Sequence, residues 1–232
     1  MDLNVVQVIA VYALPVILAI TLHEAAHGYV AMRLGDLTAY AAGRVSLNPL
    51  RHIDPIGTIA LPLALLALAK LFGGSGILFG WAKPVPVNFA NLRHPKRDMF
   101  WVAAAGPLSN LAMAVLWALA LKIALAMPGS SYSMPLALMG AAGVFVNVIF
   151  MVLNLLPLPP LDGGRILASV LPQRLADVMS RIEPYGFIIL IVLLFTGMLG
   201  YVLWPLIGLS LSLIASAFGV PVGQLLRLAQ LV

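Results

Sequence analysis

The chain alternates between long uncharged stretches and short charged ones. No charged residue occurs in four stretches, which cover residues 3–22, 99–121, 123–161 and 184–226. A helix needs about 20 mainly apolar residues to cross a bilayer, so the first stretch is long enough for one span and the last two are long enough for two. This pattern predicts an all-α polytopic membrane protein with about five to six transmembrane helices.

Breaks in the apolar pattern indicate where the individual spans lie. The expected spans cover residues 5–30, 55–72, 99–126 and 136–160, with two more within 186–218 that are separated near residues 200–205. Asp54 and Pro55 predict the N-cap and the first position of the second helix, because an aspartate side chain caps exposed N–H groups and proline needs no N–H there.

Basic residues are concentrated in three of the connecting segments. They follow the first expected span, precede the third and follow the fourth, whereas residues 128–135 carry no charge. Positively charged loops favour the cytoplasm, which predicts that the first and fourth spans end there and that the third begins there. The residues concerned are Arg33, Arg44, Arg51, Arg93, Lys96, Arg97, Arg165, Arg174 and Arg181.

One clear span therefore lies between two segments that are both expected on the cytoplasmic side. Residues 73–90, which glycine and proline interrupt too often for a regular helix, must return the chain. We predict that they form a re-entrant or extended segment. Such a segment is tolerated at membrane depth only where protein or water satisfies its backbone.

Composition supports a membrane protein and excludes several kinds of site. Of the residues, 62% are hydrophobic and 9% are charged, with a mean hydropathy of +1.05, whereas a soluble domain carries roughly a quarter charged residues. Basic cytoplasmic loops explain the net charge of +5, so we expect no nucleic-acid partner. The absence of cysteine excludes disulfides, thiolate metal ligands and cysteine nucleophiles.

Residues 23–27 read HEAAH inside the first expected span. On a helix, positions four apart differ by about 40° around the axis, so His23 and His27 face the same way and can share a metal ion. Glu24 can act as general base toward a water that the metal activates. Ionisable residues are costly within a membrane segment, which favours a functional interpretation of all three.

A catalytic zinc ion takes three protein ligands, so the two histidines need a further partner. Asp162 directly follows the fourth span and is expected at the same membrane face. Its carboxylate is a good ligand, and Gly163 and Gly164 would let the backbone approach closely. His52 and His94 lie in basic loops, where solvated polar side chains are usual, so Asp162 is the stronger candidate.

Other interpretations of this pattern remain open. The HEAAH string can arise by chance, or its histidines can form hydrogen bonds in a seam between helices. A metal-binding transporter or channel would use His23, His27 and Asp162 in a similar way, but it would not need Glu24 beside a water. A catalytically inactive scaffold that binds transmembrane helices is a third possibility.

Three motifs together resemble the site-2 protease family of intramembrane zinc metalloproteases. They are HEAAH at residues 23–27, AGPLSN at 105–110 and NLLPLPPLDGG at 154–164, and the resemblance extends over residues 20–165. The segment FGWAKPVPVN at 79–88 is similar to the short subgroup of this family. No stretch of the sequence predicts the PDZ or CBS domains that many relatives carry.

The resemblance implies a zinc metalloendopeptidase with one zinc ion per chain. It implies hydrolysis of peptide bonds in or near the transmembrane segments of membrane-protein substrates, with Glu24 as the catalytic base. The zinc ligands that it implies are His23, His27 and Asp162. It also implies that Asn154 helps to hold the substrate or the oxyanion, although an asparagine ahead of a proline-rich turn can simply bond local backbone.

Two further groups are candidates for substrate binding. Asn110 fits the family's glycine-to-asparagine motif together with Gly106, although an asparagine in an apolar helix also bonds neighbouring helices. An unwound substrate can add as a strand to an extended segment, and a plain connector is the alternative. The alternation of proline and valine predicts such a segment at Pro84, Val85, Pro86 and Val87.

We divide the chain into a catalytic membrane core with the zinc site, residues 1–165, and a cytoplasmic connector with C-terminal transmembrane helices, residues 166–232. The protein is expected to be integral to the cell membrane, with its active site toward the cytoplasmic face, where water is available for hydrolysis. Lipid and transmembrane protein substrates are the expected partners. The sequence indicates no oligomeric state.

Overall fold

The computed structural model describes residues 3–60, 64 and 82–230. Within these residues the chain is predominantly helical and contains no strand. In the described part of the chain, five helices are long and apolar enough to cross a membrane. The predicted all-α polytopic class is therefore confirmed.

Helices of four to 31 residues make up most of the described part of the chain. They are α1 (Val5–Leu34), α2 (Thr38–Ala41), α3 (Pro95–Leu125), α4 (Ser133–Asn154), α5 (Asp162–Val170), α6 (Gln173–Ile182), α7 (Gly186–Phe195), α8 (Met198–Phe218) and α9 (Val222–Gln230). Single 3-10 turns cover Pro49–Arg51, Phe89–Asn91 and Glu183–Tyr185, and a π-helical turn covers Pro55–Ala60. The five candidate spans are α1, α3, α4, the continuous stretch of α6 and α7, and α8.

The helix ends follow from local sequence. Asn4 and Gln7 form a capping box at the start of α1, each side chain accepting a hydrogen bond from the other residue's N–H. Gly35 ends α1 in the left-handed region, with φ 117°, which glycine adopts without steric cost. Asp54 accepts a hydrogen bond of 3.0 Å from the N–H of Ile56, so the N-cap predicted there is confirmed.

The core lies where α1, α3 and α4 pack against one another. Small residues allow α3 and α4 to approach closely, since a Cβ added to Gly143 would lie 2.2 Å from the Trp117 ring. The C-terminal helices α8 and α9 cover the same core through buried leucines, among them Leu211 and Leu225. Many large apolar side chains point outward, as expected for helices that face lipid.

Two predicted boundaries are wrong. The C-terminal helices are separated at Gly197, which adopts φ 75°, and not near residues 200–205. Pro205 lies inside α8, where a transmembrane helix tolerates proline. The fourth span ends at Asn154 and not near residue 160, because the prolines that begin at Pro157 cannot continue a helix.

Part of the sequence prediction lies outside the described residues. Of the predicted span 55–72, the structure describes residues 55–60 and 64. Of the predicted re-entrant or extended segment 73–90, it describes residues 82–90. Residues 82–88 are not helical, and the next three residues form a 3-10 turn.

Candidate metal centre

The two histidines of HEAAH lie on one face of α1 and point into the core. Their Nε2 atoms are 3.1 Å apart. Asp162, the first residue of α5, reaches the same point, with Oδ2 3.2 Å from His23 Nε2 and 3.3 Å from His27 Nε2. All three side chains are buried. Two elements more than 130 residues apart in the sequence therefore present three ligand atoms to one position.

The hydrogen bonds of the two imidazole rings show which ring nitrogens carry protons and which can bind a cation. His27 Nδ1 lies 2.7 Å from the carbonyl oxygen of Val102, and His23 Nδ1 lies 2.7 Å from Oδ1 of Asn110. Both partners are acceptors, so both Nδ1 atoms carry the proton and both Nε2 atoms present lone pairs. Asp162 Oδ2 is buried and receives no hydrogen bond in the described part of the chain.

Three converging lone pairs repel one another unless a cation lies between them. Ligands at about 2.0–2.1 Å from a tetrahedral zinc ion are separated by about 3.3 Å. The observed separations of 3.1, 3.2 and 3.3 Å match that spacing. The chemistry and the geometry of the three donors therefore fit zinc.

Gly106 on α3 leaves the space for the ion and its ligands. A Cβ at this position would lie 2.3 Å from His27 Nε2 and 2.6 Å from His23 Cε1. Real Cβ atoms do not approach other atoms so closely. The glycine of the AGPLSN motif is thus required by the histidine rings that pack over it.

A tight turn brings Asp162 to the histidines. The chain leaves α4 at Asn154 and folds back through the proline-rich turn before α5 begins. Cβ atoms at Gly163 and Gly164 would lie 2.3 Å from the carbonyl oxygen of Leu155 and 2.4 Å from the nitrogen of Pro159. The two glycines of LDGG therefore allow the close backbone approach that the sequence predicted.

Glu24 lies on the same helix and accepts a hydrogen bond of 2.8 Å from the N–H of Val85 to Oε2. Val85 is buried, and its side chain packs close to Gly28 of α1. The neighbouring prolines, Pro84 and Pro86, are exposed and carry no N–H. The KPVPV segment thus lies against the helix that carries HEAAH and gives a main-chain donor to the glutamate.

Hydrogen bonds hold the KPVPV segment at both ends. The guanidinium of Arg44 donates to the carbonyl of Lys83 at 2.7 Å, and the N–H of Lys83 donates to the carbonyl of His52 at 2.9 Å. At the other end, the N–H of Asn88 donates to Oδ2 of Asp36 at 2.7 Å. Burial raises the pKa of Asp36, but hydrogen bonds led by that from Thr38 lower it, and the pKa lies below its usual range.

Known proteins share this sequence over most of its length. A protein of Bacillus subtilis (strain 168) named "Putative zinc metalloprotease YwhC" is 38% identical over 205 residues, which are 87% of this chain and 88% of the relative. The chain belongs to peptidase family M50. The family model itself matches residues 122–197, which include Asn154 and Asp162.

More distant M50 relatives carry the name "Putative zinc metalloprotease Rip2". That of Mycolicibacterium smegmatis (strain ATCC 700084 / mc(2)155) is 33% identical over 181 residues, 78% of this chain and 64% of the relative. That of Mycobacterium tuberculosis (strain ATCC 25618 / H37Rv) is 31% identical over 181 residues, 76% of this chain and 63% of the relative. No solved structure matches the chain.

Membership of family M50 decides between the functional classes that the sequence left open. The protein is an intramembrane zinc metalloprotease and not a metal-binding transporter, channel or inactive scaffold. It is integral to a membrane, in agreement with the five long apolar helices among the residues that the structure describes.

The two candidate asparagines of this M50 peptidase both form hydrogen bonds within the protein. Asn110, a candidate for substrate binding, is fully buried, and within the described part of the chain its side chain bonds His23, Ala19 and Asn147. Asn154 ends α4, and its Nδ2 donates to the carbonyl of Phe150 at 3.0 Å, which is the local bond considered from the sequence.

The two loop histidines, His94 and His52, differ in their exposure to solvent. His94 is exposed, as expected, with 62% of its side chain accessible. His52 is 1% exposed, so the expectation of a solvated loop residue is wrong for it. Its Nε2 lies 2.9 Å from the carbonyl oxygen of Ser46, and its own carbonyl holds Lys83. Nothing in the composition of this loop predicts that it folds against the KPVPV segment.

Sequence reasoning missed Asn147, a fully buried residue of α4. Its Oδ1 accepts a hydrogen bond of 3.0 Å from Nδ2 of Asn110. The signal was present, because Asn147 stands inside an uncharged apolar run, where an amide is costly without a partner. Which partner it takes depends on how α3 and α4 pack, and that is not visible in the sequence.

Proposed function

We propose that His23, His27 and Asp162 bind the catalytic zinc ion and that Glu24 is the general base. The reaction is the hydrolysis of peptide bonds in or near the transmembrane segments of membrane proteins. This proposal rests on three buried ligand atoms that lie 3.1–3.3 Å from one another. Glu24 directly follows the ligand His23 in the sequence. The division into a catalytic core, residues 1–165, and a C-terminal part, residues 166–232, rests on it, since all four residues precede residue 166.

A zinc ion held by His23, His27 and Asp162 would supply Lewis acidity toward a water and the scissile carbonyl. Glu24 takes a proton from the attacking water and passes it to the leaving amine. Val85 holds Oε2 of Glu24 through its N–H. Within the described residues Oε1 accepts no hydrogen bond, so this oxygen is available to move the proton.

Asn154 is proposed to contact the substrate or the developing oxyanion. An amide nitrogen carries two hydrogens, and Asn154 gives one to Phe150. Among the described residues the second hydrogen has no acceptor, so it can donate to a substrate oxygen. The position supports this role, because Asn154 lies at the end of α4 from which the turn to Asp162 starts.

Residues 84–87 are proposed to line the substrate groove. Only the two valines of this stretch carry an N–H, and Val85 gives its own to Glu24. A substrate strand beside the segment therefore binds mainly by donating its N–H groups to carbonyl oxygens. We propose that Asn110 serves the ligand His23 and not the substrate.

The site is proposed to face the cytoplasm, in the cell membrane. Charge supports this orientation. Basic residues lie in the last turn of α1, which follows the histidines, and in the first turn of α3, which precedes Gly106. The same position gives water a short path to the peptide bond. A peptide hydrolase within lipid needs such a path.

Removal of the metal provides the direct test. The purified protein, reconstituted with a membrane-anchored reporter that contains one transmembrane segment, is expected to cleave it. A zinc chelator should stop cleavage, and one equivalent of zinc should restore it, whereas magnesium should not, because nitrogen ligands disfavour that ion. Cleavage by protein shown to be free of metal would contradict the proposal.

The hydrogen bond from Val85 to Glu24 gives a second prediction. Val85→Pro removes the N–H, and we expect kcat to fall about 10- to 100-fold with little change in KM. A hydrogen bond to a charged group contributes roughly 1.5–3 kcal/mol, and each 1.4 kcal/mol is about a factor of ten in rate. Val85→Ala is the matched control, because it keeps the N–H and loses only side-chain packing. Equal kcat values for the two variants would show that the main-chain donor does not position Glu24.

A further inference from the structure

The two histidines are held by acceptors of different kinds. His27 Nδ1 donates to the main-chain carbonyl of Val102, which can only accept. His23 Nδ1 donates to the side-chain amide of Asn110. An amide presents either its oxygen or its nitrogen when it turns over, and the turned form would favour a proton on Nε2 of His23. A proton on Nε2 is incompatible with binding a metal ion there.

Two acceptors fix the orientation of the Asn110 amide. Its Nδ2 lies 3.2 Å from the carbonyl oxygen of Ala19 and 3.0 Å from Oδ1 of Asn147. The amide of Asn147 is oriented in turn, since its Nδ2 donates to the carbonyl of Gly143 at 2.9 Å. A main-chain carbonyl of α4 thus sets the direction of two successive amides that end at His23.

Burial makes this arrangement specific. Asn110 and Asn147 are both fully buried between α3, α4 and α1. A buried amide without a partner costs free energy comparable to a lost hydrogen bond, so each asparagine is held to the partners it has. Within the described residues Asn147 bonds Gly143 and Asn110, and neither partner is a residue proposed to contact the substrate.

We infer that Asn147 is a positioning residue for the zinc ligand His23. It holds the Asn110 amide so that Oδ1 accepts from Nδ1–H of His23, which leaves Nε2 without a proton and free to bind zinc. The inference rests on the proposed role of His23. Outer hydrogen bonds of this kind change metal affinity by about 10–100-fold elsewhere, and Ala19 provides part of the orientation, so we expect the lower end of that range.

Zinc affinity, measured by competition with a chromophoric chelator, tests the inference without relying on activity. Asn147→Leu, which is apolar and of similar size, should weaken zinc binding about tenfold. Asn147→Ser should do the same, because its short hydroxyl bonds back to the Gly143 carbonyl and does not reach Asn110. The matched control is Val148→Ala at a fully buried neighbour on α4, which should lower thermal stability and leave zinc affinity unchanged.

A double-mutant cycle separates positioning from packing. In an Asn110→Ala background, Asn147→Leu should cause no further loss of zinc affinity, since the amide it orients is gone. Wild-type affinity in both Asn147 variants, or a loss that adds fully to that of Asn110→Ala, would overturn the inference. His23→Ala must also lose zinc, and if it keeps zinc the proposed ligand set fails. If His23→Ala loses zinc while the Asn147 variants bind it normally, only the role of Asn147 is refuted.

Discussion

Replacing Glu24 by glutamine is expected to abolish peptide cleavage while leaving zinc in place. Glutamine has the shape of glutamate and can still accept the N–H of Val85, so the helix and the three ligands should be undisturbed. It cannot take a proton from water at neutral pH. General-base catalysis contributes roughly 10²–10⁴-fold, and cleavage of a membrane-anchored reporter should fall by at least that factor.

Both the zinc content and the cleavage rate of Glu24→Gln have to be measured. Glu183→Gln is a suitable control, because this carboxylate is partly exposed and pairs with Arg165 at 3.4 Å. The control should cleave at the wild-type rate. Substantial cleavage by zinc-loaded Glu24→Gln would remove Glu24 from the role of base, and loss of zinc in this variant would show that Glu24 helps to bind the metal.

Adding one methyl group at Gly106 is expected to empty the metal site. The new Cβ would lie 2.3 Å from Nε2 of His27 and 2.6 Å from Cε1 of His23, so both rings have to move. Each ring is fixed by a buried hydrogen bond of 2.7 Å, which makes a small adjustment costly. We expect zinc affinity to fall by at least about a hundredfold, at the upper end of the range for disturbed ligands, and cleavage to be lost with it.

Gly208→Ala is the control for Gly106→Ala. A Cβ at Gly208 meets nothing within 4 Å among the described residues, although it also lies in a membrane-spanning helix. The control should therefore keep zinc and activity, and it should gain slightly in helix propensity. Wild-type zinc affinity in Gly106→Ala would mean that the rings do not pack over α3 as described.

The sequence was sufficient to predict the class of fold and the three side chains that converge at the candidate metal centre. Uncharged runs of 20 residues or more allow few structures other than membrane helices. The spacing of His23 and His27 fixes their common face on any helix. The direction of Asp162 could only be inferred from membrane orientation, and its approach to 3.2 Å depends on the turn packing at Gly163 and Gly164.

Features that depend on tertiary packing could not be predicted. Asn147 and Asn110 meet because small residues bring α3 and α4 together, and sequence spacing contains no measure of that distance. His52 is buried because its loop folds against KPVPV, although its composition is that of a solvated loop. The helix break at Gly197 was expected a few residues later, since several glycines and a proline of that region were equally plausible.

The zinc content of Asp162→Ala tests the central claim most directly. The wild-type protein should contain one zinc ion per chain after dialysis against a weak chelator, whereas Asp162→Ala should contain less than about a tenth of that, because two imidazoles alone bind zinc weakly. Asp177→Ala, which changes an exposed carboxylate 2.9 Å from Gln173, should retain all of it. Equal zinc in wild type and Asp162→Ala would contradict the three-ligand site.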